Sequence, residues 1–170
     1  MENGQLPLIR PMLAVNSRPF DSGLHLFEIK WDGYRGLVYL DGCTVLRSRN
    51  MIDLTKRFPE LGSLHQRVER KPAILDGEIV VFEKGKPTFA GLQSRGRLND
   101  PENISRVSVE RPAVFIAFDV LYADGKSVMD QPLSERKILL EQMVKPGEEI
   151  IVSGFILQAA ISTRPACQKV

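Results

Sequence analysis

Two short apolar segments joined by Asp41-Gly42 set the strongest limit on how this chain can fold. Residues 34–40 and 43–48 have the length and composition of β-strands. Asp-Gly between two such segments favours a two-residue hairpin turn, because these residues tolerate the positive φ angles that the turn requires. The pair therefore predicts an antiparallel hairpin, and with it an antiparallel sheet.

The remaining sequence alternates strand and helix signals. Further strands are predicted at 24–30, 73–82, 87–89, 112–122 and 149–156, and helices at 59–70, 90–98 and 134–143. Ser134 is predicted to cap the last helix, in which Ile138, Leu139 and Leu140 should face inward. A polar loop is predicted at 99–106. These elements indicate an α+β fold with antiparallel sheets flanked by helices.

Composition limits the class of protein. With 170 residues and 43% hydrophobic content, the chain can bury one sizeable core and is expected to form a single domain. Its net charge of +2 gives no overall attraction to nucleic acid, so any such contact must come from local patches. No apolar run reaches the roughly 18 residues needed to span a bilayer, and Met1-Glu2-Asn3-Gly4 does not begin a signal peptide. We expect a soluble cytoplasmic protein with no membrane partner.

Cysteine and histidine give no sign of a metal site. Cys43 and Cys167 are far apart in sequence, which argues against a disulfide framework or a zinc site. His25 and His65 do not form a ligand or catalytic pair either. Ordinary structural or surface roles are expected for all four, and the sequence assigns no metal ligand.

The first feature that suggests a reaction is a lysine, Lys30, that lies among charged residues and next to a glycine. A free lysine amine has a pKa of about 10.4 and is mostly protonated near neutral pH, so it becomes a nucleophile only where its surroundings lower that value. For Lys30, the nearby Arg35 could supply such a field, Asp32 could orient the amine or a metal, and Gly33 would let the backbone approach a phosphate. Alternatively, Lys30 and Arg35 are solvated charges beside a turn.

Three further features have both a functional and an ordinary interpretation. Leu75-Asp76-Gly77-Glu78 places two carboxylates in an apolar strand, where an unpaired charge is costly; alternatively, this is a bulge whose carboxylates face solvent. Phe118 could stack on a flat ligand or belong to the core. Arg49, at a strand end, could bind phosphate or be solvated.

Taken together, these segments resemble the motifs of the covalent nucleotidyltransferases, which include ATP-dependent DNA ligases, RNA ligases and mRNA capping enzymes. The segment Glu28 to Arg35 resembles motif I, Ser48-Arg49-Asn50 motif Ia, Leu75 to Glu78 motif III, and Phe115 to Tyr122 motif IIIa. The resemblance implies a partial ATP-grasp-like nucleotidyltransferase (adenylation) domain, with a nucleotide cleft between its sheets.

The resemblance also implies a role for each matching residue. Lys30 would attack the α-phosphate of ATP, with Asp32 as a second catalytic residue. Arg35 and Glu78 would hold the ribose, and Phe118 would stack on the adenine. The implied nucleotide-binding residues are Glu28, Ile29, Lys30, Arg35, Arg49, Glu78 and Phe118.

Ligands and partners follow from the same resemblance. The backbone near Glu28 and Ile29 would read the base edge, and Arg49 would approach phosphate. ATP and Mg²⁺ are the implied cofactors. The implied partner is nicked or broken double-stranded DNA, whose 5′-phosphate would receive AMP before a 3′-hydroxyl displaces it.

Flanking segments narrow the resemblance to one group. Arg10 to Ala14, Phe89 to Gln93 and Pro132 to Arg136 look like parts of the ligase domain in the bacterial and archaeal DNA ligase D group. That group is associated with non-homologous end joining, so the resemblance implies DNA repair and recombination in a prokaryotic cytoplasm, at the nucleoid.

The resemblance covers residues 8 to about 156 and defines the expected domains. Residues 1–156 would be the N-terminal part of an adenylation domain, and 157–170 an atypical tail. The family's motifs IV and V and its OB fold are not found in the sequence, so a second copy or a complementing chain is expected to complete the cleft. A self-adenylating module, a non-catalytic nucleotide- or DNA-end-binding remnant, and an incomplete gene product all remain open at this point.

Overall fold

The computed structural model of the chain describes residues 6–156. The predicted tail at 157–170 therefore lies outside the described residues. The strands are β1 (Phe27–Glu28), β2 (Tyr34–Leu40), β3 (Thr44–Ser48), β4 (Ala73–Glu83), β5 (Lys86–Pro87), β6 (Ala113–Ala123), β7 (Lys126–Ser127), β8 (Ile150–Val152) and β9 (Phe155–Ile156). The α-helices are α1 (Phe89–Gly96), α2 (Pro101–Glu110) and α3 (Leu133–Met143). None of the helices in this part of the chain is long and apolar enough to cross a bilayer.

A seven-stranded sheet forms the centre of the fold. Its main path runs β3-β2-β4-β6-β7, with β5 paired to β4 and β8 paired to β6. Every pair in it is antiparallel except β6 with β8, which is parallel. A separate two-stranded sheet joins β1 to β9. The predicted α+β fold, with antiparallel sheets and helices beside them, is confirmed.

The alignment of the central strands depends on one glycine. In the β2–β4 pair, Arg35 lies opposite Glu78 and Gly36 opposite Gly77. On the other side of β4, Gly77 pairs with Ala117, beside a register shift between Asp76 and Gly77. A Cβ on Gly77 would lie 2.4 Å from the carbonyl oxygen of Ile116, a distance that no side chain tolerates. Gly77 therefore allows β4 and β6 to approach closely at this point.

Apolar side chains cover both faces of the sheet. The larger core cluster contains Phe58, Leu92, Phe115 and Leu140, each with no exposed surface. A smaller cluster lies on the opposite face around Leu37, Tyr39, Ile74 and Leu121, and the N-terminal segment packs against it. Ile9 holds that segment in place, since its amide donates to the Tyr39 hydroxyl (3.1 Å) and its carbonyl accepts from it (3.2 Å).

The long central strands and the first helix agree with the sequence predictions, whereas several details differ. The hairpin between β2 and β3 forms, but its loop covers 41–43 because Leu40 pairs with Thr44. The predicted strand 24–30 is confined to Phe27–Glu28, and the predicted strand 149–156 forms as β8 and β9. The strand predicted at 87–89 is Lys86–Pro87.

The prediction of a helix at 59–70 was wrong. Three 3₁₀ turns follow one another here instead: Thr55–Arg57 precedes the predicted helix, and Pro59–Leu61 and Leu64–Gln66 lie within its range. The apolar spacing correctly identified buried residues, but tertiary contacts fix a different backbone. The Glu60 carboxylate accepts a hydrogen bond from the Ala113 amide (2.8 Å) and forms an ion pair with buried Arg95 (2.6 Å). These two contacts anchor the second turn to β6 and α1.

Two further predictions about helices were wrong. Residues 99–106 do not form a loop but include most of α2, whose N-cap is Asp100, with Pro101 at its first position. Helix α3 begins after Pro132 with no side-chain cap, so Ser134 is not the N-cap. Leu139 and Leu140 face inward as predicted, whereas Ile138 is 54% exposed.

Candidate active site

A cleft of about 540 Å³ lies between the central sheet and the segment that follows β1. All of the residues predicted to bind a nucleotide line this cleft, together with Leu13, Ala14 and Trp31, which were not predicted. The lining residues are Leu13, Ala14, Glu28, Ile29, Lys30, Trp31, Arg35, Arg49, Glu78 and Phe118. Asp32, the second predicted catalytic residue, is exposed and is not among them.

Lys30 reaches the cleft from an irregular segment rather than from a strand. Its side chain is exposed, two residues beyond the end of β1. The next residue fixes this segment, because the Trp31 indole Nε1 donates a hydrogen bond to the hydroxyl of Ser153 (3.1 Å). Ser153 is buried, and its amide donates to the carbonyl of Ala117 in β6. The candidate nucleophile is therefore anchored to the central sheet through its neighbour.

Arg35 and Asp76 form a double hydrogen bond beneath the cleft. The Arg35 Nε lies 2.7 Å from Oδ1 of Asp76, and Nη2 lies 2.6 Å from Oδ2. Burial raises the pKa of Asp76, and the two contacts from Arg35 oppose that shift. The guanidinium also lies over the ring of Phe118, 4.7 Å from its centroid. Asp76 therefore fixes the guanidinium of Arg35 at the wall of the cleft.

Glu78 lies opposite Arg35 in the β2–β4 pair and is half-buried at the cleft wall. Burial raises its pKa to about 7, with smaller raising contributions from Asp76 and Asp32, while Arg35 and the Gly33 backbone act in the other direction. Gly33 fits against Glu78 only because it lacks a side chain, since a Cβ there would lie 2.7 Å from the Glu78 Cγ and 2.3 Å from the Ile79 carbonyl oxygen. Because its pKa is raised to about 7, Glu78 can change its protonation state near neutral pH.

A buried lysine that the sequence analysis did not identify joins two walls of the cleft. Lys137, on α3, forms an ion pair with the carboxylate of Glu28 and donates to the carbonyl oxygen of Phe118. Its only signal in the sequence is a charge that directly precedes the apolar run Ile138 to Leu140. Such a charge is usually solvated, which explains why sequence reasoning missed it.

A second cavity of about 340 Å³ opens beside the first. Arg35, Arg49 and Glu78 line both, so the two spaces share a wall. Tyr34 and Phe89, whose rings meet edge to face at 5.8 Å, lie on the far side of the second cavity. The two cavities therefore adjoin at Arg35, Arg49 and Glu78.

Within residues 6–156, no group of three acidic, histidine or cysteine side chains is placed to hold a metal ion. Two carboxylates line the cleft, Glu78 and Glu28, and Glu28 is paired with Lys137. Asp32 lies near enough to affect the pKa of Glu78. Mg²⁺ in nucleotide sites is usually held by one or two carboxylates together with the substrate phosphates. The available donors fit that mode of binding.

The family described as "ATP dependent DNA ligase domain" matches residues 11–159 of the chain. A DNA ligase of Thermococcus onnurineus is 35% identical over 154 residues, which cover 84% of this chain and 27% of that protein. A multifunctional non-homologous end joining DNA repair protein LigD of Mycobacterium tuberculosis is 37% identical over 139 residues, which cover 79% of this chain and 17% of that protein. The chain therefore spans about a quarter of the length of the first relative and about a sixth of the second.

A solved structure of mycobacterial DNA ligase D complexed with ATP and MES has the same fold. Its TM-score is 0.60 at 32% identity, over 76% of this chain and 39% of that one. The predicted resemblance to the DNA ligase D group is confirmed. From the family match, the relatives and the shared fold, we conclude that this chain belongs to the ATP-dependent DNA ligase domain family.

Proposed function

We propose that the chain is a ligase adenylation module that forms a covalent lysyl-AMP at Lys30. The Lys30 Nζ, once deprotonated, attacks the α-phosphorus of ATP. A P–N bond forms, the bond from the α-phosphorus to the bridging oxygen breaks, and pyrophosphate leaves with the electron pair. This proposal rests on one observation: Lys30 and the other residues predicted to bind the nucleotide line the same cleft.

Each wall of the cleft suits one part of ATP. Phe118 offers an aromatic ring for stacking on adenine. Arg35 lines the cleft and is held there by Asp76, and Glu78 can accept a hydrogen bond from a ribose hydroxyl. Preorganised groups of this kind favour phosphoryl transfer mainly through positioning and charge. The backbone of Ile29 completes the proposed base side of the cleft.

Mg²⁺ would enter together with the triphosphate and offset its charge. Glu78 and Asp32 are the carboxylates that would hold it, in combination with phosphate oxygens. Asp32 is exposed and therefore accessible to a hydrated ion. This assignment gives Asp32 a role beside the cleft rather than in its wall.

The second step of the proposal uses the adjoining cavity. AMP passes from Lys30 to a DNA 5′-phosphate, and the 3′-hydroxyl of the neighbouring strand then displaces AMP to seal the break. Arg49 lines both cavities and could contact the phosphates of either substrate. The named role of the LigD relative supports break repair by non-homologous end joining as the process, on chromosomal DNA in the cytoplasm.

The test is the intact mass of the purified protein before and after incubation with ATP and Mg²⁺. We expect an added AMP group, which excess pyrophosphate removes because the step is reversible. Lys30→Ala should gain no mass. Lys56→Ala, which removes another exposed lysine outside the cleft, is the matched control and should be labelled like the wild type.

Two results would contradict the proposal. Labelling of Lys30→Ala would show that another residue is the nucleophile. Absence of an adduct on the wild type, with ATP still bound, would instead favour a non-catalytic nucleotide-binding protein.

A further inference from the structure

Lys137 is a lysine with almost no contact with solvent. Its side chain is 1% exposed, although lysine is rarely buried unless it is paired. Its ammonium contacts the carboxylate of Glu28 and the carbonyl oxygen of Phe118. A buried cation that forms an ion pair and a further hydrogen bond is costly to disturb, because removal of one partner leaves the other uncompensated.

The two partners of Lys137 belong to different sheets. Glu28 lies in β1, which pairs only with β9 within the described residues, whereas Phe118 lies in the central strand β6. Both residues line the cleft, and Lys137 itself does not. The ammonium therefore ties the small sheet to the large one from behind the cleft.

We propose that Lys137 is a positioning residue that holds the Glu28 and Phe118 walls of the cleft at a fixed separation. These walls enclose the place assigned above to the adenine base, so the choice of ligand rests on the proposed function. Lys137 acts through its two partners and does not touch the nucleotide. Without it, β1 would shift relative to β6 and the base would lose its fixed pocket.

The first test measures the walls without any ligand. Amide hydrogen exchange is followed in wild type, Lys137→Met and Leu139→Ala. Leu139 is buried on the same helix and does not line the cleft, so its truncation destabilises α3 without removing the link. We expect faster exchange at 27–31 in Lys137→Met than in Leu139→Ala, after correction for global stability. Equal exchange in the two variants would overturn the proposal, whether or not ATP binds.

The second test measures ATP binding through Trp31, the only tryptophan in the sequence, which lines the cleft. Lys137→Met should weaken ATP binding by about tenfold or more, because two contacts that fix the base pocket are lost. Leu139→Ala should bind ATP as the wild type does. Unchanged ATP affinity in Lys137→Met, despite faster exchange at 27–31, would show that the walls are held for another purpose and would overturn the positioning role.

A third comparison separates positioning from general structural support. If Lys137 acts through Glu28, the effect of Lys137→Met should be smaller in a Glu28→Gln background, where no carboxylate is left uncompensated. At saturating ATP, Lys137→Met should be adenylated at nearly the wild-type rate, while the ATP concentration for half-maximal labelling rises. Additive effects of the two substitutions would contradict the link. A wild type that fails to bind ATP would remove the proposed function, and the exchange experiment would still decide the role of Lys137.

Discussion

The guanidinium of Arg35 and the carboxylate of Asp76 form two parallel hydrogen bonds of 2.7 and 2.6 Å across the β2–β4 pair. Asp76 is almost fully buried, whereas Arg35 keeps a quarter of its side chain exposed at the cleft. This arrangement directs a fixed cation into the cleft from below. It also explains why an apolar strand contains an aspartate.

Asp76→Asn should destabilise the protein and loosen Arg35. Loss of one charge from a largely buried bidentate pair costs roughly 2 kcal/mol, and ATP binding should weaken because Arg35 is no longer held. Urea unfolding and an ATP titration measure the two effects. Asp124→Asn is the matched control, since its pair with Arg70 is nearly half exposed and should contribute less than about 1 kcal/mol. Equal losses in both variants would contradict the importance of the buried pair.

Glu78→Gln should change how stability depends on pH. Burial raises the pKa of Glu78 to about 7 from its ordinary 4.5. Between these values the folded state binds more protons than the unfolded state, so the contribution of Glu78 to stability falls as pH rises through this window. The Tm of Glu78→Gln relative to wild type should therefore be higher at pH 8 than at pH 5.

Glu141→Gln provides the comparison for the pH experiment, because it replaces an exposed carboxyl on α3 by an amide. Its Tm relative to wild type should be the same at pH 5 and pH 8. A flat difference for Glu78→Gln as well would show that Glu78 is not perturbed by burial.

Gly77→Ala should disturb the alignment of β4 with β6. The added methyl would lie 2.4 Å from the Ile116 carbonyl oxygen and equally close to the Phe115 ring, so roughly 1–3 kcal/mol of stability should be lost. Gly42→Ala, in the β2–β3 loop, meets no atom within 4 Å and should change stability by less than about 0.5 kcal/mol. Denaturant unfolding compares the two. A stable Gly77→Ala protein would mean that the strands can separate without cost.

Arg49→Glu should weaken binding of nicked DNA more than binding of ATP. Arg49 is exposed where the two cavities meet, and charge reversal there would repel a phosphate backbone, roughly tenfold at low salt. Fluorescence anisotropy with a nicked duplex and Trp31 emission with ATP measure the two affinities. Arg106→Glu gives the same change in net charge on the exposed face of α2. Equal affinity for nicked DNA in wild type and Arg49→Glu would remove this role.

The central strands and the lining of the cleft could be predicted because their signals are local. Residues 73–82 and 112–122 are apolar over a strand length, and the matching motifs each occupy a few consecutive positions. By contrast, 59–70 has the apolar spacing of a helix, but its backbone is decided by the contacts of Glu60 with Ala113 and Arg95. Contacts so distant in sequence leave no local pattern.

Lys137 could not be predicted for the same reason. Its partner Glu28 lies 109 positions away in the sequence. In isolation, Arg136-Lys137 before an apolar run is typical of the solvated edge of a helix. Asp76 carried a clearer signal, since a carboxylate within an apolar strand required a partner, but only the structure identifies that partner as Arg35.

Arg35 and Glu78 face each other in the β2–β4 pair, so the geometry of the cleft depends on the register of these two strands. Moving β4 by a single residue would turn both Asp76 and Glu78 to the other face, because side chains alternate along a strand, and Arg35 would lose its ion-pair partner. A misaligned sheet would thus lack the proposed nucleotide site, and a ligand that binds only the aligned sheet would shift the folding equilibrium towards it. A measured nucleotide affinity would then also depend on the fraction of molecules in which β2 and β4 are correctly aligned.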